Sequence, residues 1–308
     1  MTAGGRVVRI VTRGSKLALA QTNLIVEQLR KNNPGRRFEV ATIRTTGDRI
    51  TNRPLSTFRG TGVFVKGLEQ ALQRGKADLA VHSLKDVPSE VPADLRLVAF
   101  PPRADPRDLL LSRHGEDLGE LPDQSVVGTS SPRRQVQLAA ARPDLRFADL
   151  RGNLDTRIGK LRRGEYQGIV VAAAGMLRLG MPFHRGTLLP LQTCLPAPGQ
   201  ATLVIQCRGD DADAAACVAG IDDPATRIAA QTERLLMATL GGGCALPLGA
   251  LAELDGDRLR LRAAIGDPAR KILVRSEHEG AAGKWERMAW DCAESIIAAC
   301  RDKGISIS

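Results

Sequence analysis

The chain has 308 residues, enough for more than one hydrophobic core, and a formal charge of +10. Aromatic residues make up only 3%, with a single tyrosine, Tyr166, and the lysines and arginines are spread along the chain, so the basic tract with interleaved stacking rings expected of a nucleic-acid binder is missing. Six cysteines form no C-x-x-C pair, four histidines show no ligand spacing and no apolar run reaches bilayer length; this argues against a disulfide scaffold, a structural zinc site or other metal, and a membrane span, and for a reduced cytoplasmic setting.

The first strand is predicted over Val7–Val11, and Ser15 is placed to cap a helix whose Leu17, Ala18, Leu24, Ile25 and Leu29 recur at helical spacing. Phe38, Val40 and Thr42 alternate with polar neighbours as a strand does. Gly60-Thr61-Gly62 leads into a helix carrying Phe64, Val65, Leu68 and Leu72, and Leu79-Ala80-Val81 reads as a short buried strand. This β-α-β-α-β order predicts a parallel sheet covered by helices. The Pro/Arg/Asp-rich stretch 101–106 is a hinge, after which the pattern repeats. Strands are expected at Leu109–Leu111, Val126-Val127, Arg146-Phe147 and Ile169–Val171, with helices over Arg133–Ala141 and Leu154–Arg163. Two such lobes joined by a hinge usually close on a ligand.

The last part changes character. Thr226–Leu240 is a long amphipathic helix, Asp255-Gly256-Asp257 is a hairpin turn flanked by Ala245–Leu254 and Arg258–Ile265, Lys271–Glu277 adds a strand, and Trp285–Cys300 closes as a helix. The expected fold class is α/β: two lobes with mixed, mostly parallel sheets, plus a small α+β C-terminal domain with an antiparallel sheet. The domains are placed at 1–101 with about 202–219, at 107–195, and at 224–308.

Arginines recur just past predicted strands. They stand in Thr129-Ser130-Ser131-Pro132-Arg133-Arg134, at Arg151 and Arg157, and at Arg178. A guanidinium fork keeps its charge at any working pH and pairs with planar anions, which suits carboxylate or phosphate binding at the strand ends of an open sheet. Thr12-Arg13-Gly14-Ser15 and Thr129-Ser130-Ser131 each sit at a strand-to-helix turn, as an anion site or as plain helix caps. Lys85 and Asp86 follow a buried strand, either as an ordinary loop pair or with Asp86 stabilising developing positive charge. Cys244 follows three glycines, a backbone that lets a thiol reach into a cleft. Cys194, Cys207, Cys217, Cys292 and Cys300 read as inert buried thiols.

Taken together, these segments resemble the porphobilinogen deaminase (hydroxymethylbilane synthase) family from about Arg9 into the C-terminal domain. The blocks in family order are Thr12–Ser15 with Leu17-Ala18-Leu19, Ala80–Pro88, Asp105–Asp108, Gly128–Ser131 with Arg133-Arg134-Gln135, Leu150–Asn153, Leu195-Pro196-Ala197 with Gly199-Gln200, and Gly242-Gly243-Cys244. The resemblance implies two lobes like those of periplasmic binding proteins and a monomer without nucleic-acid or membrane partners. It implies a dipyrromethane cofactor in thioether linkage to Cys244, onto which four porphobilinogen molecules condense with loss of ammonia before hydrolysis frees hydroxymethylbilane. It makes Asp86 the catalytic group, and Arg13, Ser15, Phe64, Lys85, Thr129, Ser130, Ser131, Arg133, Arg134, Arg151, Arg157 and Arg178 the contacts to cofactor and growing oligopyrrole.

The chain also departs from the family pattern. Thr57 and Thr61 stand where lysines are common, Ala201 where glycine is usual after Gly199-Gln200, and Val204 and Gln206 where glycine and glutamate are usual. A methyl group at position 201 strains the backbone if φ is positive there. These departures leave a divergent paralogue, binding or joining other pyrroles, as the alternative reading.

Overall fold

A computed structural model of the chain describes residues 6–43, 65–183, 186–242 and 246–306. Thr57, Thr61, Phe64 and Cys244 lie outside the described residues. In chain order the elements begin with β1 (Val8–Arg13), α1 (Lys16–Asn32), β2 (Phe38–Ile43), α2 (Lys66–Gln73), β3 (Leu79–Ser83) and β4 (Leu95–Ala99). Next come β5 (Asp108–Ser112), β6 (Val126–Gly128), α3 (Pro132–Ala141), β7 (Arg146–Ala148), α4 (Leu154–Arg162), β8 (Gly168–Ala172), α5 (Ala173–Arg178) and β9 (Gly186–Leu188). The chain continues through β10 (Leu203–Arg208), α6 (Ala212–Val218), α7 (Pro224–Thr239), β11 (Gly249–Asp255), β12 (Arg258–Asp267), β13 (Ile272–Ala281) and α8 (Trp285–Asp302).

The chain divides into two compact units, Met1–Arg103 with Thr202–Arg227, and Ala104–Ala201 with Ile228–Ser308. In the first, a five-stranded sheet runs in the order β2-β1-β3-β10-β4. β1 pairs parallel with both β2 and β3, while β10 runs antiparallel to β3 and β4. Four strands therefore share one direction. Leu79–Val81 of β3 form an unbroken apolar run because both faces of the strand are covered: one core gathers Ile10, Ile25, Leu29, Leu79 and Ile205, the other Val11, Leu68, Leu72 and Ala80.

The second unit repeats the plan with the order β7-β6-β8-β5-β9, in which β5 is the reversed strand. Its sheet also has a core on each face. The same unit holds the antiparallel sheet β11-β12-β13, covered by α8 and, through Leu236 and Leu240, by α7. Gly256, at φ +57, turns the β11–β12 hairpin where Asp255-Gly256-Asp257 predicts it. Glycine at Gly266 lets α3 approach this sheet, since a Cβ there would lie 2.8 Å from Val136 Cγ2 and 2.1 Å from the Ile272 carbonyl oxygen.

The chain passes from the second unit back to the first at Ala201. Ala201 is 6% exposed and its φ is +69°, a left-handed conformation that costs an L-residue about 1–2 kcal/mol. The strain foreseen from the departure at this position is therefore present. Its carbonyl oxygen accepts from Arg178 Nη2 at 2.5 Å and from the Ala104 amide at 3.4 Å, two contacts that hold the peptide in place. We predict that Ala201→Val, with a branched Cβ at positive φ, lowers stability by about 2 kcal/mol in urea unfolding, whereas Ala201→Gly stays within about 1 kcal/mol of the parent. Equal midpoints for the valine variant and the parent would rule out this backbone conformation.

Candidate active site

Both α/β sheets present their candidate residues at the carboxyl ends of parallel strands, the place where open sheets bind ligands. In the first unit β1 and β3 are neighbours, with Ile10 opposite Leu79. Their ends bring Arg13 to Asp86, which lies on a single 3-10 turn, Leu84–Asp86. Arg13 Nη1 stands 3.7 Å from Asp86 Oδ2, with 25% and 37% of the two side chains exposed, so the carboxylate faces a cation yet stays reachable. Ser15 Oγ accepts from the Ala18 amide at 3.2 Å and caps α1, and the same residue borders a pocket of about 60 Å³ with Arg13, Gln21, His82, Ser83 and Asp86. The helix-cap reading of Ser15 is the one this bond bears out. Lys85 is exposed beside Asp86.

His82 is buried on β3, and its Nε2 lies 2.9 Å from Gln206 Oε1. Burial, with Arg13 adding its charge, pushes the imidazole down to about 4 against the pull of the Gln206 hydrogen bond, so this wall of the pocket is uncharged at neutral pH.

In the second unit β6 ends at Gly128 and runs into Thr129–Ser131 ahead of α3. Thr129 Oγ1 accepts from the Ser131 amide at 3.2 Å, and Ser130 Oγ donates to the Leu150 carbonyl at 3.2 Å while accepting from the Leu150 amide at 3.0 Å. These bonds tie the β6 exit to the segment that carries Arg151. Ser131 is the N-cap residue of α3, but its hydroxyl makes no capping bond. Asn153 caps α4 by accepting from the Thr156 amide at 3.0 Å, and Arg157 Nε donates to the Gly152 carbonyl at 2.8 Å.

Arg133 and Arg134 have a partner within the protein. The sequence points both at ligand carboxylates, and the structure gives them the protein's own. Arg133 Nη1 reaches Asp108 Oδ2 and Arg134 Nη2 reaches Asp108 Oδ1, each at 2.7 Å, with Asp108 wholly buried. Further donors of the pair go to the Leu195 and Val170 carbonyls at 2.6 and 2.8 Å. Asp108 opens β5, the reversed strand, with Asp108 opposite Ala172, so it sits at the same end of the sheet as the parallel strands' exits. Gln200 adds a donor to Asp108 Oδ1 at 2.9 Å. Burial opposes ionisation of Asp108, but Arg133 and Arg134 outweigh it and hold the carboxyl far below the usual range.

Among the described residues, no acid acts on Arg157 or Arg178 in this way. Burial, then the charges of Arg134 and Arg151, bring Arg157 down to about 10, and burial alone brings Arg178 to about 10. Both remain cations at any working pH. Arg134 and Arg151 add positive charge around the half-buried Arg157, a field that favours an anion.

Sequence reasoning missed several of these residues. Glu233 is 0% exposed on α7, and its two oxygens accept from the Gly199 amide at 2.6 Å and the Ala252 amide at 2.8 Å. The signal was available: Glu233 sits four residues after Ala229 and three before Leu236 on the apolar stripe of that helix. Asp108 was likewise an acid opening an otherwise apolar strand. Arg234, brought down to about 10 by burial, stood out by nothing in the sequence.

Each α/β unit carries cationic side chains at its strand ends, and in the first a carboxylate faces one of them, the features of an α/β protein suited to anionic ligands. Residues 8–216 match the family model described as porphobilinogen deaminase, dipyrromethane cofactor binding domain, and residues 227–298 match its C-terminal domain. The chain belongs to the porphobilinogen deaminase family. It is 47% identical over 273 residues to a porphobilinogen deaminase of Roseiflexus sp. (strain RS-1), covering 89% of this chain and 90% of that one. It is 45% identical over 290 residues to that of Roseiflexus castenholzii, covering 94% and 95%. Among solved structures it is loosely similar to a putative methionine-binding lipoprotein of Bacillus subtilis, at 9% identity and a TM-score of 0.43 over 71% of this chain and 91% of that one.

Family membership brings the dipyrromethane cofactor and porphobilinogen as substrate. No helix among the described residues is long and apolar enough to cross a membrane.

Asp108→Asn leaves two buried guanidiniums without a counter-charge, and we predict a loss of about 3–5 kcal/mol in denaturant unfolding. Because the folded carboxyl is depressed, its contribution is complete above the unfolded pKa near 4 and disappears only as pH falls through the much lower folded value. The Asn variant should therefore narrow its gap to the parent only in strong acid. A gap that closes at pH 5 would contradict the assignment.

Proposed function

We propose that the chain works as a hydroxymethylbilane synthase, a monomer in the cytoplasm with no nucleic-acid or membrane partner, that builds a linear tetrapyrrole from four porphobilinogen molecules. The observation that carries this reading is the Arg13–Asp86 pair at 3.7 Å, a half-exposed carboxylate set at the ends of two parallel strands beside an anion-binding guanidinium. The five described cysteines are free and buried, in keeping with a reducing compartment.

Each condensation joins the aminomethyl carbon of one porphobilinogen to the free α-carbon of another pyrrole; ammonia leaves and the α-proton is lost. Positive charge develops on ring nitrogen as the carbon–nitrogen bond breaks. Asp86, as a carboxylate, accepts from the pyrrole N–H and stabilises that charge. Arg13 holds a carboxylate arm at the same place and keeps the Asp86 side chain oriented, with Lys85 adding charge from the turn. Ser15 and the Thr129–Ser131 turn supply hydroxyl and amide donors, and Arg151, Arg157 and Arg178 receive the carboxylates of the lengthening product. Arg133 and Arg134 act through Asp108, which fixes them so that Arg134 adds to the positive field around Arg157.

Dipyrromethane, when bound, supplies the first free α-carbon and the tether to the protein. We assign its attachment to the Cys244 thiol on the Gly242-Gly243-Cys244 block, and a contact to Phe64 on the family resemblance alone.

Asp86→Ala should keep the pyrrole adduct, seen as intact mass above that of the sequence, and lose about 10²–10³ in turnover. Near-normal turnover would remove Asp86 from the catalytic role. Cys244→Ser should carry no adduct, and an adduct that persists in this variant would move the tether to another residue.

A further inference from the structure

The chain has one tyrosine, Tyr166, in the loop between α4 and β8 and only 7% exposed. It shares a core with Leu150, Ile158 and Leu161 on one face of the second unit's sheet. Its ring lies against Gly128, the last residue of β6, where a Cβ would stand 2.9 Å from Tyr166 Cδ1 and 3.0 Å from Cγ, closer than carbon atoms pack. Glycine at 128 thus leaves the ring its place, and the hydroxyl Oη donates to the Asp149 carbonyl at 2.6 Å. The ring fills the core as a phenylalanine would; the hydroxyl is the part that packing does not use.

A buried phenol takes an acceptor wherever it sits. The position of the acceptor sets this one apart. The Asp149 C=O and the Leu150 N–H belong to one peptide plane, just ahead of Arg151. Tyr166 holds the oxygen of that plane, and Ser130 Oγ accepts from its N–H at 3.0 Å. A peptide pinned at one edge still turns about the bond that pins it. Pinned at both edges, it fixes ψ of Asp149 and φ of Leu150, and with them the direction in which the chain enters Arg151. The same Ser130 hydroxyl donates to the Leu150 carbonyl at 3.2 Å, and Arg157 Nε donates to the Gly152 carbonyl at 2.8 Å, so the segment is held on either side of Arg151.

We propose that Tyr166 is a positioning residue for the condensation: by clamping the 149–150 peptide against Ser130 it fixes the turn from which Arg151 meets a carboxylate of the growing chain. This rests on the reading of Arg151 given above. A turn ordered before the ligand arrives removes the cost of ordering it from the binding step. Tyr166→Phe keeps the core filled and loses one half of the clamp, so the loss falls on the step that Arg151 serves and not on the chemistry at Asp86.

The test is single-turnover mass spectrometry of the intact holoprotein with limiting porphobilinogen, comparing the parent, Arg151→Ala, Tyr166→Phe and the double variant. Arg151→Ala should stall at one addition step. Tyr166→Phe should slow that same step by roughly 3–10-fold and leave the others within about twofold of the parent; placed on Arg151→Ala it should add no more than about twofold. Replacing Tyr166 by para-aminophenylalanine, which keeps a donor at the far end of the ring, should restore the step. Slowing spread evenly over all steps, an equal further loss on Arg151→Ala, or a slowed step that the amino group does not restore would each overturn the proposal. A Tyr166→Phe protein that fails to fold while the para-aminophenylalanine protein runs at parent rates would make the donor a requirement of the fold and overturn it too. If Arg151→Ala stalls nowhere, the reading of Arg151 fails and takes the proposal with it; if it stalls and Tyr166→Phe runs that step at the parent rate, the proposal fails alone.

Discussion

Asp108 is the interaction on which the second unit's ligand end depends. A wholly buried carboxylate takes two guanidiniums at 2.7 Å and a Gln200 amide at 2.9 Å, and these four side chains come from β5, from the first turn of α3 and from the loop before β10. A charge in that place is tolerable only because it is paired and hydrogen-bonded, and removing either sign leaves the other stranded. The cluster also draws in Cys194, whose thiol burial and Asp108 together push up to about 12, so that this cysteine stays an unreactive neighbour.

The arginines consequently divide by role. Arg133 and Arg134 are held inside by Asp108, while Arg157 and Arg178 have no acid among the groups acting on them and stay charged in half-buried surroundings. A carboxylate placed beside them would compensate the burial of their charge. Arg178 has a second task, because its guanidinium also holds the carbonyl of the strained Ala201. A change at Arg178 therefore disturbs the backbone at Ala201 as well as the proposed anion contact.

Much of this was legible in the sequence because it is local. Periodicity placed β1, α1, β3 and the α7 helix, Ser15 marked a helix start, and Gly256 marked a hairpin. The exits of parallel strands likewise forecast where Arg13, Asp86 and Arg151 stand. What stayed hidden is tertiary pairing: nothing local tells that Arg133 and Arg134 turn back to an acid 25 and 26 residues earlier, or that Gln206 joins His82 to Glu69 over separations of 124 and 137 residues. Glu233 is the intermediate case, visible as an acid on an apolar helical stripe but with partners, Gly199 and Ala252, that only the fold supplies.

The most direct test of the central claim, that Asp86 and the strand-end arginines assemble an oligopyrrole on the protein, is single-turnover mass spectrometry of the intact enzyme with limiting porphobilinogen. The account predicts a ladder of masses rising by one pyrrole unit at a time above the cofactor-bearing protein, with Arg151 or Arg178 variants stalling at a particular rung. A parent protein whose mass never changes on exposure to porphobilinogen would contradict it.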